Sequence, residues 1–219
     1  MTQITDVKKT TVYLIRHGEC AGNKERRIRG QVDFLLNENG IIQAQALARA
    51  LKGKGITHIY SSPLTRAMKT SEIIGSEIGV GCEANPGFNN ICIGVWENRL
   101  KDELAREVPV MWETWLHRPE ELIIEGGEPL DKVKERSVKA LHEVVRKHEG
   151  ETIAIVGHRG VLKPMLAGAL DVAKPCYWKF HFDTASYSVL TYDSLHGYAL
   201  IKLNYTEHLA GIPIIQEFD

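Results

Sequence analysis

Hydrophobic positions change their spacing along the chain, and this spacing predicts alternating strands and helices. Residues 11–15 (TVYLI) form an apolar, β-branched run without alternation, which is typical of a strand buried on both faces of a parallel sheet. In residues 39–51 apolar side chains recur every three to four positions, which predicts an amphipathic helix. Residues 58–61 indicate a second strand, and Ser62-Pro63 then provides a helix start. The first third of the chain therefore predicts strand, helix, strand, helix.

The middle of the chain follows a different pattern. Residues 81–125 begin with a loop-like stretch and continue as polar helical segments that contain several aromatic side chains. We interpret this range as a cap inserted into a single domain of residues 1–219. Gly126-Gly127 then interrupts the chain, and a long amphipathic helix is predicted over residues 129–150.

The last third returns to the alternating pattern. Residues 152–156 (TIAIV) predict a buried strand, and residues 161–170 predict a helix. Two strand-like runs, residues 186–192 and 198–203, flank a short turn and predict an antiparallel hairpin that closes the sheet edge. The expected fold class is α/β, with a mostly parallel sheet, an inserted cap and a C-terminal edge hairpin.

Composition and charge restrict the classes of function. Of the 219 residues, 43% are hydrophobic and 25% are charged, which is typical of a globular protein with a buried core. The net charge of −1 lacks the basic excess of nucleic-acid binders and argues against a purely electrostatic membrane anchor. The cysteine spacing fits neither a zinc site nor a disulfide scaffold, and the chain starts without an apolar signal segment. We therefore expect a cytoplasmic protein whose partner is a small polar molecule.

Histidines and arginines follow three of the predicted strands where each strand ends. Arg16-His17-Gly18 follows the first strand, Arg66 lies one turn into the helix after the second, and His158 with Gly160 follows residues 152–156. The carboxyl ends of parallel strands share one sheet edge, where helix N-termini also favour anions. Arginine pairs with phosphate oxygens through two parallel hydrogen bonds, and glycine lets the backbone approach a ligand. The pattern predicts a phosphate site.

Histidine chemistry suggests a role for each residue of this site. A neutral imidazole is a competent nucleophile toward phosphorus, and His17 is our candidate. Arg16, Arg66 and a protonated His158 would neutralise the phosphoryl oxygens in the transition state, so the site requires no metal. Taken singly, each residue is more often structural or solvated, and it is their joint placement at strand ends that favours function.

The chain resembles the histidine phosphatase superfamily, the phosphoglycerate-mutase-like phosphatases. Residues 14–19 read LIRHGE, residues 61–67 read SSPLTRA and residues 156–161 read VGHRGV, all three similar to signatures of that family. Further residues that match the family pattern are Asn23, Arg27, Gly30, Asp33, Gly40, Gln43, Ala44, Trp96, Glu97, Gly126, Gly127 and Glu128. The resemblance implies a three-layer α/β/α sandwich, a phosphohistidine intermediate on His17 and no cofactor. It also implies a phosphate pocket formed by Arg16, Asn23, Arg66 and His158.

The segment over residues 88–97 distinguishes subclasses of this family and contains a departure from its pattern. Its sequence, FNNICIGVWE, is closer to the phosphatase pattern LREIDFGxWEG than to the tract of the mutases, so a small-molecule phosphomonoesterase is favoured. The alignment places Asn90 where the family has a proton-donating glutamate. Loss of a general acid and base costs about 10²- to 10⁴-fold in rate, or about 3 to 5 kcal/mol.

Several explanations of Asn90 remain open from the sequence. Glu19 or Glu97 could substitute, the substrate could have a good leaving group, or the protein could bind phosphate compounds with little turnover. An engineered exchange at position 90 would give the same pattern. The alternative functions are thus an impaired phosphate-ligand-binding relative and a phosphoglycerate-type mutase.

Arg29 is a second departure, because the family has glutamine there. A solvated loop explains a run of charges most simply. If Arg29 faces the pocket instead, the substrate should carry a second anionic group. We expect a small phosphorylated metabolite as partner, with neither nucleic acid nor membrane, and the sequence leaves monomer and homodimer open.

Overall fold

The computed structural model of the chain describes residues 7–215. The first six residues, which carry part of the expectation that the chain starts without a signal segment, lie outside this range. Within it, none of the helices is both long and apolar enough to cross a membrane.

One six-stranded sheet forms the centre of the protein. Its strands follow the order β3-β2-β4-β1-β5-β6, in which the first four are mutually parallel and β5 is antiparallel to both of its neighbours, β1 and β6. The strands are β1 (Thr10–Arg16), β2 (Ile56–Ser61), β3 (Cys82–Ala84), β4 (Thr152–Gly157), β5 (Tyr187–Asp193) and β6 (Gly197–Tyr205). The mostly parallel sheet and the C-terminal edge hairpin are therefore confirmed.

Helices connect the strands, and two of their ends follow clear local sequence signals. The helix predicted to start at Ser62-Pro63 begins instead at Thr65, after the N-cap residue Leu64. The side chain of Asn37 accepts a hydrogen bond from Gly40 N and caps the second helix, and Gly79 ends the third with φ = 74°. The helices are α1 (Ala21–Lys24), α2 (Glu38–Leu51), α3 (Thr65–Ile78), α4 (Lys101–Glu107), α5 (Pro109–His117), α6 (Leu130–Lys147) and α7 (Arg159–Ala169).

The two faces of the sheet pack against different helices. Alternate residues of β1 point to opposite faces, so Val12 and Leu14 join a core that contains apolar side chains of α6 and α7. Ile15 joins a second core, which contains apolar side chains of α2 and α3. Helices on both faces of a mostly parallel sheet give the expected three-layer α/β/α arrangement.

The segment between β3 and α6 contains α4 and α5, the helices of the expected cap. Its start differs from the boundary suggested by the sequence, because residues 82–84 pair with β2 and belong to the sheet. This strand has only three residues, and two of them are exposed, so it lacks the apolar run that would predict it.

The strand order brings the three motif-bearing strand ends together. β4 lies between β1 and β2, with Arg16 opposite Gly157 and Ser61 opposite Val156. The residues that follow β1, β2 and β4 therefore meet at one edge of the sheet.

Candidate active site

A small cavity of about 60 Å³ opens at the carboxyl ends of the central strands. Arg16, His17, His158 and Gly160 line it, together with Asn90 of the segment that follows β3. Arg66, which is fully buried in α3, influences both histidines electrostatically. Arg16, His17, His158 and Gly160, four of the residues that the sequence singled out, thus line one cavity, and Arg66 acts on its two histidines.

The imidazole of His17 is held in one tautomer. Its Nδ1 lies 2.6 Å from the carbonyl oxygen of Gly18, so Nδ1 carries the proton and donates it to that oxygen. Nε2 then keeps its lone pair. The side chain is only 2% exposed, which limits competition from bulk water. This tautomer has the form that a nucleophile toward phosphorus requires.

His158 faces His17, with 4.9 Å between the ring centroids. Its Nε2 lies 2.8 Å from Ser62 Oγ, and Ser62 in turn donates to Asn89 Oδ1 at 3.3 Å. The Ser62 hydroxyl therefore bridges His158 Nε2 and the side chain of Asn89. Within residues 7–215, Nδ1 of His158 is buried and has no hydrogen-bond partner. A ligand oxygen that carries a proton could supply one.

Backbone carbonyls hold the two buried arginines in place. Arg16 donates through Nη1 to the carbonyl of Phe182 at 2.7 Å. Arg66 donates to the carbonyls of Val32 and Gly30 at 2.8 and 3.0 Å, which also fixes the loop between α1 and α2. Carbonyl acceptors orient both guanidinium groups, and Arg66 Nη1 also lies 4.0 Å from Asp33 Oδ1. Both positions are therefore preorganised cations at the strand ends, where an anion would be stabilised.

The pKa values of the two histidines are held well below the usual range. For both rings the main cause is burial, followed by the positive charge of Arg66. Burial also lowers the pKa of Arg66 to about 10, which still leaves the guanidinium charged near neutral pH. Burial and Arg66 therefore favour the neutral ring of His158, and its protonated form in the transition state stays a prediction. A bound phosphate dianion would raise its pKa, because an opposite charge favours the protonated ring.

Gly160 lies in the first turn of α7, where the helix N-terminus meets the cavity. A Cβ atom at this position would lie 2.6 Å from Ile91 Cγ2 and 2.7 Å from Asn90 Oδ1. The glycine therefore permits the close approach of the segment that carries Asn90.

Two other predicted ligand residues lie at different depths. Asn23 is fully buried in α1, where its Oδ1 accepts hydrogen bonds from Cys20 N and Cys20 Sγ at 3.0 and 2.9 Å. It is not part of the cavity wall described above, and its role in phosphate binding stays a prediction. Arg29 is half-buried, lines the cavity and lowers the pKa of both histidines. Arg29 thus lies at the cavity and is not the fully solvated loop residue that a run of charges most simply explains.

Asn90 occupies the wall of the cavity as the alignment implied. Its Nδ2 donates to the carbonyl of Gly30 at 2.7 Å, and its buried Oδ1 has no hydrogen-bond partner among the described residues. Near neutral pH a side-chain amide can neither donate a proton to a leaving group nor accept one from water. The position thus contributes a polar contact and no general acid.

The two carboxylates that could replace this acid are used elsewhere. Glu19 accepts hydrogen bonds from the side-chain amides of Asn37 and Asn39 at 2.7 and 3.0 Å. Glu97 Oε1 accepts from the backbone nitrogens of Gln31 and Ile93 at 2.9 and 3.2 Å. Neither residue lines the cavity. The geometry therefore does not favour substitution by Glu19 or Glu97.

The structure adds site residues that sequence reasoning missed. Lys101 of α4 and Arg159 of α7 are buried and line the cavity, and the aromatic side chains of Trp115 and Tyr177 complete its wall. Arg159 follows His158 directly in the sequence, so this motif could have indicated Arg159 as a site residue. Lys101 and Tyr177 lie in segments without a motif, so only the packing of the cap and the loop before β5 brings them here.

A larger groove, of about 870 Å³, runs along α6 and α7 on another part of the surface. Lys134, His142 and Arg146 are among the residues that line it. It contains neither of the two facing histidines nor the strand-end arginines. We therefore assign the chemistry to the smaller cavity.

Residues 12–206 match the family model of the histidine phosphatase superfamily, branch 1. This range includes all the cavity residues named above and confirms the family that the motifs indicated.

Known proteins with phosphatase and mutase-like names are similar to the chain. Phosphoserine phosphatase 1 of Hydrogenobacter thermophilus is 32% identical over 198 residues, which cover 90% of this chain and 93% of that protein. Phosphoglycerate mutase-like protein 4 of Arabidopsis thaliana is 34% identical over 172 residues, which cover 77% and 75%. A solved structure of a phosphoserine phosphatase mutant from Entamoeba histolytica, in complex with phosphoserine, is 27% identical and has a TM-score of 0.82. It covers 91% of this chain and 99% of that one.

Proposed function

The chain belongs to the histidine phosphatase superfamily, and on that premise we propose that it is a metal-independent phosphatase. It hydrolyses a small phosphorylated metabolite through a phosphohistidine on His17. The observation that carries this proposal is the tautomer of His17, fixed by Gly18 O and facing His158 beside buried arginines. Family membership by itself supports a phosphatase or a mutase.

The first step transfers the phosphoryl group to the enzyme. The lone pair on His17 Nε2 attacks phosphorus, an N–P bond forms and the bond from phosphorus to the leaving oxygen breaks. Arg16 and Arg66 stabilise the charge on the phosphoryl oxygens, and carbonyl anchors keep both guanidinium groups in position. The leaving oxygen departs with the bonding electrons and takes its proton from a water molecule, because the amide of Asn90 cannot supply one.

The second step returns the phosphoryl group to water. A water molecule attacks the phosphohistidine, the N–P bond breaks and inorganic phosphate leaves. The proton lost by this water goes to bulk solvent or to phosphate, because the cavity wall contains no carboxylate base among the described residues. We therefore propose that steps which need proton transfer limit turnover, and that substrates with good leaving groups react fastest.

The charge of the cavity supports a substrate with a second anionic group. The cavity wall contains no aspartate or glutamate among residues 7–215, and five cationic side chains line it: Arg16, Arg27, Arg29, Lys101 and Arg159. Arg27 pairs with Glu25 at 2.6 Å, but the wall as a whole is cationic, and its positive potential favours a substrate with a second anionic group such as a carboxylate. Phosphoserine, which is bound in the solved structure of the Entamoeba histolytica relative, carries such a group.

The same donor set supports catalysis without a resident metal. Mg²⁺ prefers carboxylate and carbonyl oxygens together with water, whereas this cavity presents guanidinium, ammonium and imidazole groups. The four cysteines are free thiols, which supports a reducing, cytoplasmic location. The partner we propose is a small metabolite rather than nucleic acid or a membrane.

The experiment that tests this function detects the covalent intermediate. The protein is incubated with p-nitrophenyl phosphate in excess EDTA, denatured at alkaline pH and digested for mass spectrometry. We expect release of p-nitrophenol and an acid-labile phosphate on the peptide that contains His17. Absence of p-nitrophenol above the enzyme-free rate would reject the phosphatase assignment.

Asn90 specifically favours a second candidate function, a phosphate-ligand-binding relative with impaired catalysis. Such a protein would bind phosphomonoesters saturably and release no product. The intact His17 and His158 favour the enzyme instead. A mutase would differ from both, because its activity would depend on a bisphosphorylated primer.

Arg29 provides a prediction about the second anionic group. In the variant Arg29→Gln we expect the KM for phosphoserine to rise by about 10-fold, because a charge-assisted hydrogen bond contributes about 1.5 kcal/mol or more. The KM for p-nitrophenyl phosphate should change by less than about 3-fold, since this substrate has no second anionic group.

Arg26→Gln is the matched control for this measurement. Arg26 belongs to the same basic run, but its side chain is 64% exposed and lies 3.6 Å from Asp102 at the surface. Both KM values should therefore stay unchanged. Equal KM values for Arg29→Gln and the unsubstituted protein, with both substrates, would remove the argument for a second anion at Arg29.

A further inference from the structure

Three potential metal ligands meet at the end of the sheet opposite the cavity. His58 lies near the start of β2, His148 follows the end of α6, and Glu151 immediately precedes β4. Their ligand atoms all lie within 4.8 Å of one another. Within the described part of the chain, no other group of three histidine, cysteine or acidic residues is this close.

Local backbone structure brings His58 into this cluster. The pairing of β2 with β4 shifts register between Ile56 and His58, so Thr57 is an extra residue in a β-bulge. A bulge changes the direction of the neighbouring side chains. The His58 ring consequently lies against the His148 ring, with 3.8 Å between their centroids.

The distances in the cluster fit the coordination sphere of one small cation. Glu151 Oε2 lies 3.1 Å from His58 Nδ1 and 3.2 Å from His148 Nδ1. Ligands at about 2.1 Å from a tetrahedral Zn²⁺ are about 3.4 Å apart, which follows from the tetrahedral angle. The two distances to Glu151 thus lie within a few tenths of an ångström of this spacing, and the ligand atoms of His58 and His148 lie within 4.8 Å of each other.

Neighbouring side chains orient the ligands as metal sites require. The Tyr60 hydroxyl lies 2.8 Å from His148 Nε2, which leaves Nδ1 of that ring directed at Glu151. Thr57 Oγ1 donates to Glu151 Oε2 at 2.8 Å. Such outer hydrogen bonds fix the ring orientation and raise ligand basicity.

We propose that His58, His148 and Glu151 bind a divalent transition-metal ion of the Zn²⁺ type, with water as the fourth ligand. Two imidazoles and one carboxylate suit this class of cation. The His58 and Glu151 side chains are 47% and 42% exposed, so an ion and its water can enter, whereas His148 is buried. The ion connects β2, the end of α6 and the start of β4. This site is independent of the proposed phosphatase activity, and its tests measure no catalysis.

The proposal is tested by titrating the protein with Zn²⁺ alone in a calorimeter. We expect the variants Glu151→Gln and His58→Gln each to weaken one binding event by at least about 10-fold, since even outer-sphere exchanges cost 10- to 100-fold. His117→Gln is the matched control. His117 Nε2 lies 3.1 Å from Glu113 Oε2 on the surface, a histidine–glutamate pair that belongs to no group of three ligands. This control should bind Zn²⁺ as tightly as the unsubstituted protein.

A second measurement separates this site from binding by thiols or by the cavity. Zn²⁺ at about 100 times Kd should raise the Tm of the protein by about 5 to 10 °C and leave the Tm of Glu151→Gln nearly unchanged. Co²⁺ should give visible bands without the intense near-ultraviolet absorption of thiolate ligands. Equal Zn²⁺ affinity in all four proteins, no binding to the unsubstituted protein, or thiolate bands with Co²⁺ would each overturn the proposal.

Discussion

Replacing His17 with alanine is expected to lower kcat for p-nitrophenyl phosphate by at least about 10³-fold, because the variant has no nucleophile. Water could still attack a phosphate held by the arginines, but without a covalent intermediate. The substrate has a good leaving group, so the result reports on the nucleophile even without a general acid. The measurement is steady-state release of p-nitrophenol in excess EDTA.

Phosphate binding distinguishes loss of chemistry from loss of structure in this variant. Arg16 and Arg66 are held by backbone carbonyls rather than by His17, so calorimetry should show inorganic phosphate bound with similar affinity. His196→Ala, at an exposed surface pair with Asp193, is a control that should keep full activity. An active His17→Ala variant would reject the phosphohistidine mechanism.

The pH profile of the unsubstituted protein tests the environment of His17. Its pKa is lowered, chiefly by burial, so the ring stays neutral and nucleophilic below the ordinary histidine value. For the free enzyme, kcat/KM should therefore hold its value down to about pH 6.5 and fall only at lower pH. This pH dependence belongs to the prediction that His17 is the nucleophile.

Asn90→Glu is expected to increase activity. The amide lies in the cavity wall near His158 and the half-buried Arg29, where a carboxyl group could protonate a leaving alkoxide. Restoring a general acid is worth about 10²- to 10⁴-fold, so kcat for phosphoserine should rise by about 10²-fold. Hydrolysis of p-nitrophenyl phosphate should rise much less, because its leaving group needs little protonation. The ratio of the two kcat values is the quantity to measure.

Asn90→Gln separates the proton from the size of the side chain. Glutamine has the length of glutamate but cannot donate a proton in this way, so its two kcat values should stay near those of the unsubstituted protein. Equal rates for the glutamate and glutamine variants, with Tm values showing that both are folded, would contradict the acid–base role of position 90. They would also strengthen the binding-protein alternative.

The sequence by itself determined the fold class and the centre of the site. Apolar runs such as residues 11–15 and 152–156 encode buried strands locally, and the three- to four-residue spacing over residues 39–51 encodes a helix. His17, Arg66 and His158 follow these elements directly, so their convergence needed only the rule that parallel strand ends share one edge. The departure at Asn90 was also visible before the structure, because it interrupts a motif.

Only the tertiary structure decided which side chains complete the cavity. Lys101 and Tyr177 enter the wall because the cap and the loop before β5 pack over the strand ends, and no local pattern encodes that approach. Glu19 and Glu97 are next to motifs in sequence, yet amide and backbone partners hold both of them away from the cavity. The physical reason is that the periodicity of apolar residues specifies only which face of a helix or strand is buried. The distances between residues far apart in the chain depend instead on strand order, bulges and packing.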